Sequence, residues 1–134
     1  MNLVDVIFYG WYQVLDKTIY EYGNRNGSMG PKEHSWFITF LLHGINVWTV
    51  ISYLSARFLA ASVSHYFSLS IAILVLFAGY RIYIKKGRAL AIINRRVTPG
   101  KVIFSVIVAI VYSTVSIYLL FVVGDYVRFR LLAK

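Results

Sequence analysis

The chain contains three long apolar stretches that hold no Asp, Glu, Lys or Arg. They cover residues 35–56, 58–80 and 102–124, and are 22, 23 and 23 residues long. At about 1.5 Å of rise per residue, each would form a helix of roughly 33–35 Å, whereas the hydrocarbon core of a bilayer is roughly 30 Å thick. Within lipid, the backbone amides must be bonded inside the segment. The pattern therefore predicts transmembrane helices over residues 35–56, 65–84 and 102–124.

The N-terminal segment, residues 1–22, has a helical periodicity with two unlike faces. Apolar side chains such as Ile7 and Phe8 share one face, and polar ones such as Asp5 and Tyr9 share the other. The segment is too polar to cross hydrocarbon easily. We therefore expect an amphipathic helix that lies in the membrane interface. The alternatives are packing against a helix of a partner protein and a strained fourth span.

The segments between the apolar stretches are typical connections. The sequence GNRNGSMGPKEH is rich in Gly and Asn, which is typical of a loop, and Pro99 with Gly100 predicts a turn before the last span. The predicted fold is an all-α integral membrane protein with one membrane domain. In chain order it has an amphipathic interfacial helix (1–22), a loop (23–34), a first span (35–56), a short outside hairpin (57–64), a second span (65–84), a basic cytoplasmic linker (85–101), a third span (102–124) and a short basic tail (125–134).

Basic residues are concentrated between the second and third apolar stretches, and they predict the orientation. Short loops rich in Lys and Arg stay in the cytoplasm. With this linker inside, ten basic residues lie inside and four outside, which favours an internal N-terminus and an external C-terminus. Contact with anionic lipid, or with an acidic partner, is a further role for these charges. The residues concerned are Arg81, Lys85, Lys86, Arg88, Arg95, Arg96 and Lys101.

The composition narrows the class of protein. Of the 134 residues, 59% are hydrophobic and 14% are charged, and a soluble domain of this size could not bury so much apolar surface. The net charge of +9 is explained by membrane topology without nucleic acid. Cysteine is absent, which excludes disulfides and thiolate sites and suits a bacterial inner membrane. We expect no enzyme active site, no cofactor and no metal site.

The first predicted span carries polar side chains along one face, and these are the strongest chemical candidates in the chain. His43 and Asn46 can each donate and accept a hydrogen bond. Such a pair can relay a proton, coordinate a substrate or bond to a neighbouring helix. Bonding between helices is the commonest use of polar groups in membranes. The face comprises Thr39, His43, Asn46 and Tyr53.

Small residues recur at intervals of three and four in the other two predicted spans, and this spacing lets helix backbones approach closely. We expect the His43 face to look inward, onto Ser68 and Ala72 of the second span and onto Ser105, Ala109 and Tyr112 of the third. The predicted helix-packing positions are Ser68, Ala72, Gly79, Ser105, Ala109 and Ser113.

Two functions from different classes remain open. The first is a small non-enzymatic membrane protein, acting as a subunit, modulator or scaffold through helix packing and its basic and amphipathic surface segments. Its partners would be anionic lipids and another membrane protein, or further copies of itself. The alternative is an oligomeric pore, a small carrier or a holin-like permeabilising protein, with His43 and Asn46 lining the path. Nothing in the residues is specific to that alternative.

Overall fold

The structure is a computed structural model that describes residues 1–20, 30–59 and 64–132, and its regular elements in these ranges are all helical. Three helices continue into π-helical turns, at Asp16–Tyr20, Ser55–Leu59 and Tyr80–Lys85. The helices are α1 (Leu3–Leu15), α2 (Pro31–Leu54), α3 (His65–Gly79), α4 (Arg88–Ile93) and α5 (Pro99–Leu132).

Two of the described helices are long and apolar enough to cross a membrane, namely Pro31–Leu59 and Pro99–Leu132. This supports the all-helical class and suggests a membrane protein. The second predicted span contains α3 and its π-helical turn, and it stays a prediction. The predicted loop, outside hairpin and C-terminal tail fall partly on residues 21–29, 60–63 and 133–134, which lie outside the described ranges.

Local sequence signals explain where the first two helices begin. The Asn2 side chain accepts a hydrogen bond from the Asp5 amide at 2.9 Å, and the Asp5 carboxylate accepts one from the Asn2 amide at 3.1 Å. This reciprocal pair is a capping box. In α2, Pro31 occupies the first turn, where its missing N–H costs nothing, and Glu33 accepts from the Gly30 amide at 3.1 Å. α2 therefore begins four residues before the apolar stretch that predicted it.

Three of the helices pack as a triangle, and α3 lies outside it. α1, α2 and α5 contact one another, and α3 packs along α2. A Cβ added to Gly10 of α1 would overlap the backbone of Ser105 and lie 2.8 Å from the Ala109 side chain of α5. A Cβ on Gly44 of α2 would lie 3.5 Å from the Ala72 backbone in α3. Small residues thus set two of the close helix contacts.

The N-terminal helix is part of this packing. Ile7 and Phe8 of the predicted apolar face are fully buried, but Asp5 and Tyr9 of the predicted polar face are also only 5% exposed. Leu3, on the predicted apolar face, is 60% exposed. The periodicity was misleading here because a carboxylate can be buried when another part of the chain supplies its partners. The predicted interfacial position of this helix stays a prediction.

An aromatic cluster lies where α3 leads into α4, called here the linker end of the bundle. The Tyr83 ring lies 5.2 Å from that of Phe8 and 5.1 Å from that of Phe40, between centroids. Gly87 follows with φ of 72°, a left-handed conformation that only Gly adopts at low cost. This turn sends α4 back onto the bundle, where Ala89 and Ile92 join the cluster.

Candidate functional site

The most strongly bonded polar group in the described structure is the carboxylate of Asp5, at the linker end. The Tyr83 hydroxyl donates to Oδ1 at 2.6 Å. Arg88 donates through Nε to Oδ1 and through Nη2 to Oδ2, both at 2.9 Å. This two-pronged geometry is the strong form of an Arg–carboxylate pair. Three elements, α1, α3 with its π-helical turn, and α4, are thereby tied together at one point.

The electrostatics keep this carboxylate ionised. Burial by itself would raise the pKa of Asp5, but the hydrogen bonds from Arg88 and Tyr83 and the cap at Asn2 outweigh it and hold the pKa below its usual value. The same hydrogen bond to Asp5 raises the pKa of the Arg88 guanidinium. The Asp5 side chain is 7% exposed and that of Arg88 is 42% exposed. A carboxylate with both oxygens occupied is suited to holding helices rather than to proton transfer.

The seven basic residues predicted to contact anionic lipid or a partner divide into three groups. Arg88 is committed to Asp5. Arg81 and Lys85 are exposed on the π-helical turn that ends α3, and Lys86 is exposed directly after it. The remaining three line a cavity of about 420 Å³ between the N-terminus of the chain and the start of α5. This linker cavity is bordered by Arg95, Arg96, Lys101, Met1, Val6, Val97, Phe104 and Ser105.

The polar face of α2 meets α5 through Asn46. Its Nδ2 donates to the Tyr112 hydroxyl at 2.7 Å and to the Ser116 hydroxyl at 2.9 Å. Ser116 is 1% exposed, and its hydroxyl donates to the Tyr112 carbonyl oxygen at 2.7 Å. Asn46 therefore completes a small hydrogen-bonded network that joins the two helices.

The other predicted polar residues of α2 make different contacts. His43 donates from Nδ1 to the Thr39 carbonyl oxygen within its own helix, at 2.7 Å, and its ring lies 5.2 Å from that of Tyr112. The Thr39 hydroxyl is buried and has no hydrogen-bond partner among the described residues. Tyr53 lies 5.3 Å from Tyr126 of α5, between ring centroids. The face predicted from the sequence is thus turned largely towards α5.

Replacing Asn46 with Leu should weaken the contact between α2 and α5. The change removes two hydrogen bonds between helices, and such bonds contribute about 0.6–2 kcal/mol each in membrane bundles. We expect the free energy of unfolding, measured by SDS titration in mixed micelles, to fall by about 1–2 kcal/mol. The matched control is Thr114→Val on an exposed position, because Thr114 bonds only to the Ile110 carbonyl of its own helix. Equal effects of the two changes would contradict this assignment.

The predicted packing positions lie at two different contacts. Ala72 faces Gly44, and Gly79 abuts the ring of Phe40, so both face α2. Ser105 and Ala109 were expected beneath the His43 face, but the structure places them against Gly10 of α1, because α1 occupies that side of α5. Ser113 is half-buried and its hydroxyl donates to the Ala109 carbonyl at 2.7 Å. The side chain of Ser68 lies outside the described part of the structure.

Sequence reasoning missed three important residues. Asp5 was assigned to a polar face, and the sequence predicted no contact for Tyr83 or Gly10. The capping box of Asn2 and Asp5 signalled a helix start but could not reveal the partners of the carboxylate, which lie about eighty positions away. A glycine inside a helical pattern is a signal of close packing, so Gly10 could have been identified from the sequence on that ground.

No group of three or more His, Asp or Glu residues within the described ranges is arranged to hold a metal ion. The site chemistry therefore consists of an ion pair with a tyrosine, a polar network between two helices, and a basic cavity at one end. The chain matches no protein-family model, no curated protein and no solved structure.

Proposed function

We propose that this chain is a small, non-enzymatic integral membrane protein that serves as a subunit or modulator of another membrane protein. Its spans would dock against the partner through side chains that face away from its own bundle. The proposal includes three spans, an N-terminal helix at the cytoplasmic headgroup level, and a bacterial inner membrane. It also includes an internal N-terminus and an external C-terminus, as the basic linker indicates.

The main support for this proposal is that the polar side chains of Asp5 and Asn46 bond to other residues of the same chain. The carboxylate of Asp5 is bonded to Arg88 and Tyr83, and the amide of Asn46 is bonded to α5. Reactive groups at an enzyme site need room for a substrate, and a pore needs polar groups on its lumen. Because these side chains are already bonded within the chain, they suit a structural role better than catalysis or the lining of a pore.

The outward faces supply the docking surface in this proposal. α3 contacts α2 and leaves Leu74 and Phe77 at least 60% exposed. On α5, Thr114 and Tyr118 are exposed four residues apart, on the same side of the helix. Hydroxyl groups on an outward face within an apolar span can bond to a neighbouring helix. We therefore assign the Tyr118 side of α5 to a helix of the partner.

A photo-crosslinking experiment tests this assignment in native membranes. Replacing Tyr118 with p-benzoylphenylalanine puts a crosslinker on the exposed face, since Tyr118 is 66% exposed. Replacing Tyr112 gives the matched control, because the Tyr112 ring lies against His43 within the bundle. We expect the Tyr118 probe to yield a discrete heavier band that contains a second membrane protein. The Tyr112 probe should crosslink within the chain.

The same experiment separates the competing outcomes. Crosslinks from Tyr118 to lipid alone would rule out docking through this face. A ladder of crosslinked copies of the chain would favour the pore alternative. The direct test of a pore would then be to measure the leak of liposomes containing the protein, which His43→Ala should abolish.

A further inference from the structure

The linker cavity combines positive charge with an apolar wall. Arg95, Arg96 and Lys101 border it, and no Asp or Glu is among the described residues that line it. The carboxylate within α1, that of Asp5, is already bonded to Arg88 and Tyr83. The three cations therefore share a space in which no described lining residue supplies a carboxylate to neutralise them. Like charges held together repel, which favours binding of an anion among them.

Most of the other described lining residues are apolar. Val6 of α1, Val97 before α5 and Phe104 on its first turns border the space, together with Met1. Phe104 is 60% exposed and belongs to the predicted third span, so it continues the wall towards the hydrocarbon. A ligand that fills this site has an anionic part and an apolar part. A freely soluble anion would satisfy only the basic side.

The size and depth of the cavity suit a phospholipid headgroup. Its volume of about 420 Å³ lies within the range of small-ligand sites, enough for a phosphate with its glycerol but not for whole acyl chains. The cavity lies at the start of α5, where the predicted third span begins. A site at the end of a span lies at the depth of lipid headgroups.

We propose that the linker cavity binds one anionic phospholipid. Arg95, Arg96 and Lys101 bind its phosphate, and its acyl chains leave along Phe104 into the bilayer. This inference rests on the proposed membrane location, but it does not depend on a protein partner. It assigns a discrete site to three of the basic residues, whereas Arg81, Lys85 and Lys86 act only through general attraction to an anionic surface.

Native mass spectrometry of the full chain in micelles tests the site, with titration of phosphatidylglycerol or of phosphatidylcholine with the same acyl chains. The cavity variant is Arg95→Gln, Arg96→Gln, Lys101→Gln. The matched control is Arg81→Gln, Lys85→Gln, Lys86→Gln, which removes the same charge from exposed positions beyond the cavity. We expect wild type and control to bind one phosphatidylglycerol with about tenfold preference over phosphatidylcholine, and the cavity variant to lose that preference.

A second variant removes the apolar wall and keeps every charge. Phe104→Ala should weaken binding of phosphatidylglycerol severalfold without lowering the stability of the protein, since Phe104 is exposed. Competition by glycerol 3-phosphate at concentrations equal to the lipid would mean that the site takes soluble phosphates, and would overturn the assignment to lipid. Equal losses in the cavity and control variants would mean diffuse attraction in place of a site.

Alkaline carbonate extraction of membranes separates this inference from the proposed function. Wild-type protein released by carbonate would contradict the proposed membrane integration. Protein that stays in the membrane but binds both lipids equally would contradict the lipid site alone.

Discussion

Replacing Gly10 with Ala should destabilise the protein although Ala is the better helix former. The added methyl group would overlap the Ser105 backbone and press on Ala109 of α5, so α1 and α5 must move apart. Overpacking at a tight contact costs about 1–3 kcal/mol, and the gain in helix propensity is at most about 1 kcal/mol. We expect the free energy of unfolding in mixed micelles to fall by about 1–2 kcal/mol.

Gly124→Ala is the matched control for this change. Gly124 lies within α5, and a Cβ there would meet no atom within 4 Å. The same substitution should therefore leave stability unchanged or raise it by up to about 1 kcal/mol, through helix propensity alone. If Gly10→Ala behaved like Gly124→Ala, α1 would not pack against α5 as the structure has it. If α1 packs against α5 as the structure shows, Gly10→Ala should loosen α1, and amide hydrogen exchange should become faster in residues 3–15.

Replacing Asp5 with Asn should release α4 from the bundle. The change keeps the shape of the side chain but removes the charge that binds Arg88 at 2.9 Å. Breaking a fully buried pair costs about 3–5 kcal/mol, but the Arg88 side chain is 42% exposed and water screens part of the interaction. We expect a loss of about 1–3 kcal/mol in the free energy of unfolding at pH 7.

The dependence on pH identifies the cause. Because the folded pKa of Asp5 is lowered, its contribution is present above the unfolded value of about 3.9 and is lost as the pH falls through the folded value. The difference between wild type and Asp5→Asn should stay constant from pH 8 to pH 5 and narrow below about pH 4. Asp125→Asn, at an exposed position on α5, is the control. A difference that persisted unchanged at pH 3 would rule out the ion pair as its source.

Much of the helical layout was predictable because it follows from local pattern. The apolar stretches located α2, α3 and α5, since a run of uncharged residues leaves little choice but helix in lipid. The spacing of small residues also predicted helix contacts at Ala72 and Gly79, and in the structure these two residues lie against Gly44 and Phe40 of α2. α2 and α5 begin a few residues before the predicted spans, since Pro31 and Pro99 start these helices in the flanking polar segments.

The candidate site was less predictable because it depends on long-range contacts. Amphipathicity showed that α1 has two faces, but not that Asp5 would find Arg88 and Tyr83 across the bundle. The basic residues were expected to act together, yet the turn at Gly87 separates Arg88 from its neighbours and commits it to α1. Asn46 was identified as a candidate for bonding between helices and Tyr112 was expected opposite its face, but Ser116 as a second partner became evident only from the packing.

The mass of the particle extracted from its native membrane into nanodiscs, measured by native mass spectrometry, tests the proposed role most directly. We expect a complex of defined stoichiometry that contains this chain and a second membrane protein. We expect a larger share of the free chain when Tyr118→Ala removes the exposed ring of α5. A particle made of this chain alone would contradict the proposed role. In that case, a closed ring of copies would favour the pore, with His43 and Asn46 as the residues to replace.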